Sequence, residues 1–330
     1  MPKRSAYVLI SLITHMLAQQ TLGKQARPAF VAVARAATAA ASRRRWRSSV
    51  STTQHGGPVG NLAHRVYFAR GDKPISPWHD IPLLADAASR EYNMVCEVPR
   101  WSNAKLEIDT KAPFNPIKQD SKKGRPRYVA DVFPYKGYIW NYGALPQTFE
   151  DPDHRDADTG CLGDSDPVDV VEVGQAICAE GSVHRIKVLG LLALIDGGET
   201  DWKVFAIRAD DPLASKVSSV SCLDRYMPGL VNATVDWFSK YKVPDGKPLN
   251  GWAFDGEPRD AQSPFALANV TVRSSPHCLL ADDASDMFRT QTTSMLSSDQ
   301  VCADTANPQM APPGAKWYYV RGDAVANGDD

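Results

Sequence analysis

The middle of the chain alternates apolar and polar residues with the period of strands. Asn93-Met-Val-Cys-Glu-Val98 is one such stretch. In Lys105-Leu-Glu-Ile108, Leu106 and Ile108 fall on one side and Lys105 and Glu107 on the other. Val183 to Ile195 is a long apolar run interrupted twice by basic residues, and Lys203-Val-Phe-Ala-Ile-Arg208 follows an acidic turn. Several short strands punctuated by Gly and Pro predict an antiparallel barrel. One helix stands out. Pro228 can occupy its first turn, and Leu230, Val231, Thr234, Trp237, Phe238 and Tyr241 then recur at helical spacing. The predicted class is mainly β with some α (α+β).

Charge divides the chain. It has 330 residues, 43% of them hydrophobic, which is ordinary for a globular protein, and a net charge of −1. Eleven of its 37 basic residues precede Asp72, the first acid, so the remaining 26 face 38 acids and the body carries −12. Such a body is not that of a nucleic-acid binder. The acid-free leader, rich in Arg, Ala and Ser, has the composition of an organelle transit peptide. Arg43-Arg-Arg-Trp-Arg-Ser-Ser-Val-Ser is its candidate region for removal. Two other readings stay open. Lys3-Arg4 before Tyr7-Val-Leu-Ile-Ser-Leu-Ile13 resembles a secretory signal, and the charges alone would suit a disordered basic arm. That apolar stretch is too short to span a bilayer. Import into the mitochondrial matrix is therefore expected, with the secretory pathway or the cytoplasm as alternatives. The organisation expected is a leader over 1–55, a compact domain over 56–260, and a divergent, loosely ordered extension over 261–330. The six cysteines (Cys96, Cys161, Cys178, Cys222, Cys278 and Cys302) form no C-x-x-C pair. Cys96 and Cys178 sit in apolar runs and read as buried thiols of a reduced compartment.

Candidate chemistry lies in two acidic runs, Asp164-Ser-Asp166-Pro-Val-Asp169 and Asp196-Gly-Gly-Glu-Thr-Asp201-Trp-Lys203. In extended chain, Asp164 and Asp166 would project to one side. Converging carboxylates repel one another, and their ionised forms persist only where positive charge offsets the repulsion. Hard divalent cations such as Mg²⁺, held by a few carboxylates plus water and substrate phosphate, supply it. A pair of solvated acidic turns would look similar in isolation.

Further motifs narrow the choice: Glu97-Val-Pro-Arg-Trp101, Lys105-Leu-Glu107, Gly137-Tyr-Ile-Trp-Asn-Tyr142-Gly-Ala-Leu-Pro-Gln-Thr, Gly197-Gly-Glu-Thr-Asp201-Trp-Lys203 and Trp237-Phe-Ser-Lys-Tyr241-Lys242-Val-Pro-Asp-Gly-Lys-Pro. With Asp164-Ser-Asp-Pro-Val-Asp169 they resemble, from about Asn61 to Glu257, a family I soluble inorganic pyrophosphatase of eukaryotic, mitochondrial type. The resemblance implies a five-stranded OB-type barrel with flanking helices. It implies an inorganic diphosphatase, a hydrolase that splits pyrophosphate into two phosphates with a metal-activated water and several Mg²⁺ ions per site. By the same resemblance Asp164, Asp169 and Asp201 are the principal metal ligands, and Asp196 and Glu107 are further ones. Asp166 is the general base, with Tyr138 beside it in the catalytic set and Glu97 lining the site. Lys105, Arg127, Lys203 and Lys242, with Tyr142 and Tyr241 as phenolic donors, bind pyrophosphate. A homodimer is implied, with Arg100 and Trp101 at the subunit contact. His79, His154 and His184 match no catalytic position. The chain departs from the family after Glu257: only Pro258 to Ala266 stand where relatives carry a long amphipathic helix, and Pro258 and Pro264 disfavour one. Residues 272–312 read as loosely ordered, while Lys316-Trp-Tyr-Tyr-Val320 again resembles the family.

Rival chemistries fail on particular residues. Counted from Asp164, an EF-hand loop would need an acid or amide, a Gly and a Glu where Val168, Asp169 and Gln175 stand. No P-loop motif occurs. The matched basic residues are too few for a nucleic-acid-binding groove. An inactive scaffold would not be expected to keep every matched site residue.

Overall fold

The computed structural model describes residues 50–261 except 87, together with 317–321 and 324–326. Five strands organise it: β1 (Glu91–Val98), β2 (Asn141–Ala144), β3 (Asp169–Glu172), β4 (Val183–Asp196) and β5 (Glu199–Arg208). β1 pairs antiparallel with β2 and β4, β2 with β3, and β4 with β5. β3 and β5 run parallel. The order β1-β2-β3-β5-β4 therefore returns to β1, and closure removes the exposed edges that an open sheet would carry. This is the OB-type barrel, corrected at one seam: the β3–β5 pair is not antiparallel.

Alternation decides what each strand buries. Tyr92, Met94 and Cys96 of β1, Val170 of β3, Leu191 and Ala193 of β4, and Trp202, Val204 and Ala206 of β5 form one apolar cluster. Glu97, Asp169, Asp201 and Lys203 are one position out of phase with these neighbours, and so point to the opposite face. The β4–β5 hairpin turns on Gly197 and Gly198 alone, at φ 64° and 98°, with Asp196 opposite Glu199. Positive φ at both loop residues suits the twist of a two-residue hairpin. The acidic turn expected before Lys203 is thus shorter than predicted, because Glu199 to Asp201 already belong to β5.

Helix α1 (Leu230–Lys240) buries Thr234, Trp237 and Phe238. Its entry differs from expectation. Gly229 caps the helix at φ 80°, which leaves Pro228 before the cap instead of in the first turn. The Trp237 indole N–H donates to the Gly137 carbonyl at 2.8 Å, and that of Trp140 donates to Thr234 Oγ1 at 2.8 Å. Trp140 and Phe238 stack at 4.9 Å. Burial of each such ring contributes about 1.5–3 kcal/mol, so these contacts clamp the helix over the β2 side of the barrel.

A second sheet precedes the barrel. Val50–His55 pairs along its length with Arg65–Arg70, which continues through Ile117–Gln119 to Leu106–Ile108. Ordered sheet thus reaches into the segment read as leader. At the other end, Arg259–Asp260 adds to β4 as a short strand, and residues 262–266 lie outside the described residues. Trp317–Arg321 pairs in parallel with Asp131–Val132. The expectations for Leu267 to Thr271 and for 272–312 lie outside the described residues. Cys96, Cys161, Cys178 and Cys222 are free, the first and third of them buried. His79 stacks on Trp78 at 4.4 Å, and His184 hydrogen-bonds Ser182 at 2.7 Å.

His64 ties the two sheets. Its ring is fully buried. Nδ1 lies 2.9 Å from the Gly57 carbonyl and Nε2 lies 2.7 Å from the Glu180 carboxylate. Both partners accept, so both ring nitrogens carry protons in this geometry. Burial pushes the ring's pKa down, but the Glu180 and Gly57 bonds and the Glu180 charge outweigh it and hold it above the usual value. A raised folded pKa means that the stabilisation is complete below the unfolded value of about 6.5 and fades as pH climbs through the folded one. The melting-temperature gap between wild type and His64→Gln should therefore be widest near pH 6 and narrow toward alkaline pH. A gap that does not change with pH would show a neutral ring.

Candidate active site

One cavity of about 280 Å³ gathers all of the site residues expected from the sequence. Glu97 comes from the end of β1, Asp169 from the start of β3, Asp196 from the end of β4, and Asp201 and Lys203 from β5. Lys105 and Glu107 come from the strand Leu106–Ile108 and its flank, and Arg127 from the segment after the Ser121–Pro126 hairpin. Tyr138 and Tyr142 flank Trp140, while Tyr241 and Lys242 follow the last turn of α1. Asp164 and Asp166 also reach the cavity, though not as extended chain. Ser165 sits at φ 73°, and the Asp166 N–H donates to Asp164 Oδ1 at 2.9 Å, so a turn brings them together. His79, His154 and His184 do not line it.

Register explains the centre. On the parallel seam, Asp169 of β3 stands opposite Lys203 of β5. The Lys203 ammonium, 2% exposed, donates to Asp169 Oδ2 and Asp201 Oδ1 at 2.5 Å each and to Tyr142 Oη at 3.0 Å. These three oxygens take all three of its protons. Burial pulls the Lys203 pKa down, and the charges of Asp169 and Asp201 more than reverse this. Other bases repeat the pattern. Lys105 bonds Glu107, and Lys242 bonds Asp196, which also accepts from Tyr241 Oη at 2.8 Å. Arg127 donates to Asp120 at 3.1 Å. Tyr142 in turn donates to Asp169.

The acids do not titrate alike. Glu97 is raised well above its usual value, first by burial and then by the negative charge of Asp169, while for Asp201 burial and the charges of Asp169 and Asp164 push upward against the pull of Lys203. Burial, Asp166 and Asp169 lift Asp164 to about 7. Asp166 rises to about 6 through desolvation and the Glu107 charge, against the pull of Lys105, yet it keeps a face open to water. Asp196 goes the other way: burial would raise it, but Lys242 and Tyr241 hold it low. Burial lifts the Tyr138 phenol to about 12, so it stays protonated.

One acid escaped the sequence reading. Glu150 is fully buried, accepts the Trp202 N–H at 2.9 Å with Oε1, and among the described residues has no partner for Oε2. Oxygens of Glu150, Asp164 and Asp201 lie within 4.8 Å of one another. An orphaned buried oxygen in an all-carboxylate cluster suits a hard divalent cation. Nothing in the local pattern sets Glu150 apart, because a lone acid before Asp-Pro reads as a turn residue. Glu199, Trp237 and Phe238 also line the cavity without having been singled out for it.

A closed barrel whose mouth collects acids for cations and bases for anions defines a metal-dependent hydrolase acting on a small polyanion. Residues 94–269 match the family model described as inorganic pyrophosphatase. An inorganic pyrophosphatase of Mus musculus is 58% identical over 212 residues, which covers 64% of this chain and 72% of that one. The structure of the Schistosoma japonicum inorganic pyrophosphatase has a TM-score of 0.67 at 48% identity, covering 70% and 80% of the two chains. The N-terminally truncated Trypanosoma cruzi vacuolar soluble pyrophosphatase, solved in complex with PPi, has a TM-score of 0.63 at 37% identity, covering 72% and 91%. The chain belongs to the inorganic pyrophosphatase family, in its family I soluble form. It is a hydrolase of pyrophosphate, and it binds metal.

Removing the central cation tests the electrostatics. Lys203→Met leaves Asp169 and Asp201 without their buried partner, a change that typically destabilises by about 3–5 kcal/mol. Urea unfolding in EDTA should show that loss, and added Mg²⁺ should restore part of it. Equal unfolding midpoints for the variant and wild type in EDTA would show that the carboxylates do not rely on Lys203.

Proposed function

We propose that this chain uses Mg²⁺ to hydrolyse inorganic pyrophosphate to two phosphates, with Asp166 as the general base. The observation that carries the reading is the shared cavity, in which acids and bases alternate around one small space. Asp164, Asp169 and Asp201 would hold the ions, with Asp196 and Glu107 as further ligands and Glu150 added to the set. When bound, the ions would neutralise the substrate's charge and acidify a water. Asp166 faces that space with a carboxyl poised near 6, so it is ionised at neutral pH and can take the water's proton. Lys105, Arg127, Lys203 and Lys242, with Tyr142 and Tyr241, would hold the phosphate oxygens. The Arg127 guanidinium, braced by Asp120, can offer a bidentate fork, whereas the lysines act as point charges. Tyr138 remains a neutral donor at the wall, and Glu97, whose carboxylate accepts the Ile108 N–H at 2.8 Å, fixes the edge of the second sheet.

Trp101 is half exposed at φ 71°, with the Arg100 guanidinium 6.0 Å from its ring, which supports a self-contact and a homodimer. The acidic body speaks against nucleic acid as a partner. Among the described residues no helix is long and apolar enough to cross a membrane. The basic leader favours the mitochondrial matrix.

Two outcomes check this reading. Asp166→Asn should lower turnover by at least ~10²-fold with little change in pyrophosphate affinity, since a general base is worth roughly 10²–10⁴. Wild type should lose activity as pH falls through about 6, and the variant should lack that limb. Near-normal turnover in Asp166→Asn would remove it from the role. Separately, mass spectrometry of protein from isolated mitochondria should find a start between about Arg43 and Val50, which keeps the strand that begins at Val50. Intact Met1 in the cytosol would refute import.

A further inference from the structure

Lys203 has no proton to spare. Its three N–H bonds end on Asp169, Asp201 and Tyr142. To touch a phosphate oxygen it must release one of these partners, and during that exchange contacts that are not hydrogen bonds can help the remaining two hold the ammonium in place. Two aromatic faces meet that need. The ammonium lies 5.2 Å from the centroid of Phe238 and 5.5 Å from that of Tyr142, within the range of cation–π attraction. Tyr142 is already committed through its hydroxyl. Phe238 has no polar atom, lines the cavity, and is 2% exposed. Its ring is fixed from several directions: stacked on Trp140 at 4.9 Å and 9°, and edge-on to Trp237 at 5.0 Å and 83°.

We propose that Phe238 is a positioning residue for Lys203, its ring face holding the ammonium while Lys203 exchanges a carboxylate for a substrate oxygen. The attraction is non-directional around the ring normal, so it survives an exchange of hydrogen-bond partners that would otherwise free a four-carbon chain to swing. The inference rests on the reading of Lys203 as a phosphate ligand.

The test separates ring electrostatics from packing. Site-specific replacement of Phe238 by its mono-, di- and trifluorinated analogues keeps its shape and progressively weakens the negative face. Two readouts are taken on the full chain: steady-state kinetics with pyrophosphate and Mg²⁺, and the ¹⁵N resonance of the Lys203 side chain, assigned by its absence in Lys203→Arg. Across the series KM for pyrophosphate should rise in steps, by about 5- to 30-fold at the trifluorinated ring, with an unchanged melting temperature and a graded shift of the Lys203 resonance. An active wild type with a flat KM series and an unmoved resonance would overturn the positioning role and leave the hydrolase reading intact. A wild type without pyrophosphatase activity would overturn the assignment of function, while the resonance would still report on the contact.

Discussion

The structure turns on the buried ammonium of Lys203. Lys203 stands on a barrel strand with its ammonium between Asp169 and Asp201, where bulk water cannot screen it. Gathering carboxylates in a low-dielectric pocket is unfavourable unless opposite charge is built in with them. Lys203 supplies that charge, and the parallel β3–β5 seam puts it beside Asp169 through backbone register, not through side-chain flexibility. The closed barrel keeps this register rigid, since a one-residue slip of β5 would turn Asp201 and Lys203 toward the apolar cluster.

The same logic repeats outward. Lys105 with Glu107 and Lys242 with Asp196 are further pairs in which a proposed phosphate ligand is the counter-ion of a proposed metal ligand. Cation and anion sites therefore share their electrostatics: a cation that takes the carboxylates leaves the lysines in need of a new anion. This linkage is a physical reason for a metal-dependent enzyme to bind a polyanion in the same small space. Aromatic packing supplies the remaining constraint, because α1 is clamped by Trp140, Trp237 and Phe238, and its C-terminal end delivers Tyr241 and Lys242.

Much of this was legible in the chain. Apolar–polar patterning located β1, a long apolar run located β4, the run after the acidic turn located most of β5, and helical spacing located α1 to within its first turn. The spaced acidic, basic and phenolic motifs named a set of residues that share one cavity. Alternation within a strand is local, so it also foretold that Lys105 and Glu107 would face away from Leu106 and Ile108.

Other features depended on chain segments distant in sequence. Strand alternation could not foretell that Asp164 and Asp166 meet through a left-handed Ser165, since that turn is held by the Ser165 N–H donating to the Glu150 carbonyl and the Glu150 N–H donating to the Asp166 carbonyl. Glu150 itself carries no local signal; it becomes a candidate ligand only because folding places its unpartnered oxygen beside Asp164 and Asp201. The parallel seam, the two-residue limit of the Gly197-Gly198 turn and the ring face over Lys203 are likewise products of tertiary contact. The sequence determined which faces are apolar and which residues can do the chemistry, because those are properties of each side chain and its neighbours. Only the closed barrel decided which charges meet, because register between strands is settled by long-range pairing.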